Sequence, residues 1–157
     1  AMDDDSLAAF DQGKLLAALR AGHAWGSTGP LLHVHLEDAQ IGDLHTGDKG
    51  TLHVGVEAAD WIPVSEWRAY VNGELVHRAP IAAGESAAVP LAFAKDAFVT
   101  VEVEGPADGR YAEALPGFTP FAFTNPIFVD VDGNGRFDAP GLPDDLPSTL
   151  TDPERPD

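Results

Sequence analysis

Cysteine is absent from the 157 residues. That excludes disulfides, thiolate nucleophiles and cysteine-ligated zinc, and leaves the redox compartment undefined. Basic residues are scarce: 9 Lys and Arg stand against 26 Asp and Glu, a formal net charge of −17. Such a field argues against nucleic acid or an anionic membrane surface as partner and suits the binding of cations. No apolar run approaches the roughly 18 residues of a membrane span. No signal-peptide pattern is read at the start, Ala1-Met2 reads as a remnant of expression, and the native sequence is expected to extend upstream. None of Ser27, Ser65, Ser86 and Ser148 lies in a Gly-x-Ser-x-Gly elbow, and Gly26-Ser27-Thr28-Gly29 lacks both the spacing of a phosphate loop and the Lys that follows one.

A hydrophobic content of 44% indicates a folded globule, and this length suits one domain with an appendage. Residues 1–22 are expected to form an N-terminal helix, over about 3–22, with Asp3, Asp4, Asp5 and Ser6 at its start and Gly22 as its stop. Leu7, Phe10, Leu15, Leu16 and Leu19 make its apolar stripe, which Gly13 interrupts. Beyond Gly22 the period becomes two. Leu32-Val34-Leu36, Leu52-Val54-Val56, Val89-Leu91-Phe93 and Val99-Val101-Val103 each define one inward strand face. Asn72-Gly73 joins two strands as a hairpin, and Trp67, in phase with Ala69 and Val71, is expected in the core. A last strand is expected over 121–131, with Pro126 marking an edge or bulge. About seven or eight strands without intervening helices predict a mainly β fold, an immunoglobulin-like antiparallel β-sandwich over 23–141. Residues 105–120 read as a long irregular connection, and 142–157 as a Pro- and Asp-rich tail.

The segment with the most chemistry is Asp130-Val131-Asp132-Gly133-Asn134-Gly135-Arg136-Phe137-Asp138. Asp130, Asp132, Asn134 and Asp138 place oxygens at positions 1, 3, 5 and 9 of a calcium loop, Gly135 occupies the sharp-turn position, and Arg136 offers its carbonyl. Calcium takes six to eight oxygens and relieves the repulsion of crowded carboxylates. Gly141 stands where the bidentate Glu of a full EF-hand would be, and Pro140 and Pro143 forbid a second helix, so Asp144 or Asp145 is left to close the shell. The alternative is a metal-free turn, since Asp, Asn and Gly dominate turns for conformational reasons.

Several stretches together carry a resemblance. They are Ala18-Leu19-Arg20-Ala21-Gly22, Ser27-Thr28-Gly29-Pro30-Leu31-Leu32, Tyr70-Val71-Asn72-Gly73-Glu74-Leu75-Val76 and above all Phe121-Ala122-Phe123-Thr124-Asn125-Pro126-Ile127-Phe128-Val129-Asp130. Over residues 10–143 the chain resembles the C-terminal region of bacterial PHP-superfamily metallohydrolases of the CehA/McbA type. The resemblance implies a non-catalytic accessory β-sandwich domain. The hydrolytic metal site would lie in an upstream PHP barrel in cis, for which the N-terminal helix is the bridge. It also implies an extracytoplasmic location. His33-Val34-His35 does not stand for the family's catalytic His-x-His, because it follows the Gly-Pro segment and no Asp precedes it.

Two other functions are open at this stage. An independent secreted binding module, for carbohydrate or adhesion, would use exposed Trp25 and Trp61. A small metal-dependent hydrolase would use His33, His35 and His53, which all face outward on strands and would need to converge on one ion. Glu102 and Glu104, with Asp96 near the start of their strand, form a carboxylate group whose simplest role is a solvated face.

Overall fold

Strands of alternating pattern bury one face each, and two such faces closed on one another give the architecture. The computed structural model of the chain describes residues 10–139 and 141. Within them the order is α1 (Gln12–Arg20), β1 (Trp25–Ser27), β2 (Leu31–Leu36), β3 (Ala39–Gln40), β4 (Leu44–Thr46), β5 (Lys49–Glu57), β6 (Glu66–Val71) and β7 (Glu74–Pro80). β8 (Ser86–Ala92), β9 (Ala97–Glu104), α2 (Gly109–Ala114), β10 (Phe121–Thr124) and β11 (Ile127–Asp130) follow. The fold is mainly β, a sandwich of a seven-stranded and a four-stranded sheet, as the periodicity predicts.

The smaller sheet has the order β3-β2-β5-β8 and is antiparallel throughout. In the larger sheet β9 is the spine. β6 pairs along one edge of it, and β10 and β11 pair with successive halves of the other. Leu32, Val34, Leu36, Leu52, Val54 and Val56 of the smaller sheet meet Trp67, Ala69, Val99, Val101, Val103, Ala122, Ile127 and Val129 of the larger in one core. Trp67 is fully buried, as its phase predicts. Asn72 and Gly73, at φ 52° and 83°, turn β6 into β7, the left-handed pair that this hairpin turn requires.

Four expectations are corrected. The expected last strand is two strands: Pro126 supplies no N–H, and the chain breaks at Asn125-Pro126 into β10 and β11, both on the same edge of β9. The sandwich is not wholly antiparallel, because β11 pairs in parallel with β4. The connection 105–120 carries α2, anchored by the buried Tyr111, whose hydroxyl donates to the Thr28 carbonyl. Among the described residues the helix expected over 3–22 begins only at Gln12: Phe10 and Asp11 lie outside it, and the Asp11 side chain caps it by accepting the N–H of Gly13 in its first turn. The expected cap at Asp3–Ser6, Leu7, Asp144, Asp145 and the tail lie outside the described residues.

No residue of α1 is buried; Phe10 just before it, and Leu16 and Leu19 on it, are 51%, 41% and 51% exposed. Leu15 and Ala18 are half-buried, so the apolar side of the helix is covered only in part, and Phe10, Leu16 and Leu19 stay open.

Candidate metal centre

The Asp130 loop follows directly from β11, and packing has already fixed its first residue. Asp130 is fully buried, a costly place for a carboxylate unless it is hydrogen-bonded. Its Oδ1 accepts the N–H groups of Gly133 at 2.8 Å and Asn134 at 3.2 Å, and its Oδ2 accepts that of Gly135 at 2.8 Å. Gly133 and Gly135 have φ of 73° and 84°, the left-handed backbone that aims these N–H groups inward. Burial pushes the Asp130 carboxyl up, but the bonds from Gly135, Gly133 and Asn134 outweigh it and hold the group below its ordinary value of 3.8. Asp130 is thus anionic at neutral pH.

Asp132 accepts the Asn134 N–H at 3.1 Å and its side-chain amide at 3.2 Å. That amide also donates to Asp138 at 2.9 Å, and the Asn134 side-chain oxygen accepts the Arg136 N–H at 3.0 Å. The Arg136 guanidinium pairs with Asp138 at 3.0 Å in an exposed position.

Sequence reasoning missed the residue that organises the loop from outside. Asp96, only 8% exposed, precedes β9 and accepts the N–H groups of Val131 through Oδ1 and Asp138 through Oδ2, both at 2.8 Å. Asp96 belongs with this loop and not with Glu102 and Glu104. Carboxylate oxygens of Asp96, Asp130 and Asp132 lie within 4.8 Å of one another, the only such group of three among the described residues. An all-oxygen set of three carboxylates, two of them buried, suits a hard divalent cation such as Ca2+. Asp96 adds a third carboxylate to the group from outside the loop. Of the residues singled out by the spacing, Asp130 and Asp132 fall in this group and Asp138 does not. Asn134 and Asp138 are joined to each other, and Arg136 turns its side chain to Asp138. No signal in the sequence pointed to Asp96, which is 34 residues upstream of Asp130.

The other candidates separate. His35 and His53 face each other across β2 and β5, but His33 turns to Glu57 at 3.3 Å, and the three imidazoles form no common ligand set. Glu102 and Glu104 are not simply solvated: Arg68 pairs with Glu66 at 2.7 Å, with Glu102 at 3.5 Å and closely with Glu104, and Tyr70 donates to Glu102 at 2.9 Å. The bonds from Arg68 and then Arg78 hold Glu66 below the ordinary carboxylate range, and Glu66 in turn raises Arg68.

No protein-family profile matches the chain, and no curated protein does.

Proposed function

We propose that this chain is a non-catalytic accessory β-sandwich domain of a PHP-type metal-dependent hydrolase, with Ca2+ bracing its C-terminal loop. The observation that carries the reading is the exposed apolar residues on and just before α1. Phe10, Leu16 and Leu19 are left for a partner, and a barrel joined in cis would cover them. The resemblance of residues 10–143 supplies that barrel, with the hydrolytic metal, and an extracytoplasmic setting. Ca2+ at Asp130, Asp132 and Asp96, with Asn134, Asp138 and the Arg136 carbonyl proposed from the loop spacing, has a structural use. It offsets carboxylate repulsion and favours the folded state alone. The test is hydrogen exchange at α1 in this chain and in the intact parent protein. Protection of α1 in the parent alone supports the reading, and equal exchange in both removes it.

A second reading, a carbohydrate-binding module, has one observation in its favour. Trp25 is 39% exposed at a groove of about 470 Å³ that His33, Gln40 and Asp43 also line. Quenching of Trp fluorescence by oligosaccharides, lost in Trp25→Ala, would support it; an unresponsive signal would dismiss it.

A further inference from the structure

We propose that His35 and His53 form a two-imidazole site for a divalent transition-metal ion, Cu2+, Ni2+ or Zn2+, on the outer face of the smaller sheet. The site is separate from the Asp130 loop and independent of the accessory-domain reading.

Register brings the pair together. His35 on β2 and His53 on β5 are direct partners in the antiparallel ladder, and both project away from the core that Leu36, Leu52 and Val54 fill. Their rings are stacked, with centroids 4.6 Å apart and planes 12° from parallel. Two nitrogens on one metal can be at most roughly 4.2 Å apart, twice a metal–nitrogen bond of about 2.1 Å. In the stack the in-plane lone pairs run nearly parallel, so the His53 ring must swing out of it, with His35 held by Glu37, before both nitrogens meet one ion within that limit.

A second observation fixes the chemistry of one ligand. His35 Nδ1 lies 2.6 Å from the Glu37 carbonyl oxygen. A carbonyl only accepts, so Nδ1 carries the proton and Nε2 holds the lone pair. Metal-bound imidazoles are oriented in this way, with the second nitrogen donating to a backbone carbonyl. Glu37 itself has φ 50°, and its Oε1 accepts the Thr51 N–H at 2.5 Å. Nitrogen donors select borderline metals where the oxygen donors of the other site select Ca2+. His33 is excluded from the set by its pairing with Glu57. Two protein ligands leave coordination positions for water or for a donor from another molecule.

The test uses the untagged, chelator-stripped 157-residue chain titrated with Cu2+, read by calorimetry and by electron paramagnetic resonance. One Cu2+ with coupling to two nitrogens is expected. His35→Asn and His53→Asn should each weaken binding on the order of 10–100-fold and leave one coupled nitrogen. His77→Asn and the double change Asp130→Asn with Asp132→Asn should leave the affinity unchanged. A spectrum of oxygen ligands alone in the unaltered chain would overturn the proposal, and so would affinity undiminished in either His variant.

Discussion

Asp138 and Asp96, 42 residues apart, are joined by a hydrogen bond of 2.8 Å from the Asp138 N–H to Asp96 Oδ2. The other oxygen of Asp96 takes the Val131 N–H at the same distance, so a single side chain clasps both ends of the acidic loop. Replacing Asp96 by Ala leaves both amides without their acceptor. A loss of about 1–3 kcal/mol in urea unfolding is expected, and a variant as stable as the parent chain would show that the clasp contributes nothing.

Calcium should raise the melting temperature of the chain at millimolar concentration, and a chelator should reverse the rise. The response should vanish in Asp130→Asn and shrink in Asp132→Asn and Asp96→Asn, because each removes a charge from the set of three carboxylates. Differential scanning calorimetry with and without Ca2+ reads this directly. A melting point that ignores the ion would take it out of the account.

Acid should unfold the calcium-free chain through Asp130. Its folded carboxyl lies below 3.8, so near and below that pH the unfolded chain binds more protons than the folded one. The contribution is complete above the unfolded value and is lost as pH falls through the folded one. Glu66, held low by Arg68 and Arg78, adds a loss of the same sign below its ordinary 4.5. Chemical unfolding from pH 6 down to 2 should show stability falling below about pH 4, with a shallower fall in a chain carrying Asn at position 130.

Gly105 follows β9, and a Cβ there would stand 1.9 Å from the Pro63 carbonyl oxygen. Backbone cannot rotate away as a side chain can. Gly105→Ala should therefore cost at least the 1–3 kcal/mol typical of about one inserted methyl in a packed site, whereas Gly84→Ala meets no atom within 4 Å and tests only the left-handed φ of 84°. Equal melting points for the two variants would contradict the steric account.

Leu16→Asp with Leu19→Asp should leave this chain's stability within about 0.5 kcal/mol, since both side chains are exposed. If the proposed barrel adjoins α1, the same pair in a parent protein that carries it should loosen that junction, seen as increased proteolysis near residue 20. A parent indifferent to the change would speak against that junction.

Local chemistry alone determined much of this protein. Period-two apolar spacing set which strand faces are buried, Asn72-Gly73 set the β6–β7 turn, and Asp130-x-Asp132 with Gly133 and Gly135 set a loop whose N–H groups turn inward. These are contacts between residues a few positions apart, so spacing suffices to read them. Tertiary structure decided the rest. Asp96 reaches the loop only because β9 pairs with β11, and His35 meets His53 only through the register of β2 on β5. β4 joins β11 in parallel, and α2 is held by Tyr111 on Thr28, 83 residues away. Pairing between distant strands depends on how two whole sheets close over a shared core, and no spacing within a single segment encodes that closure.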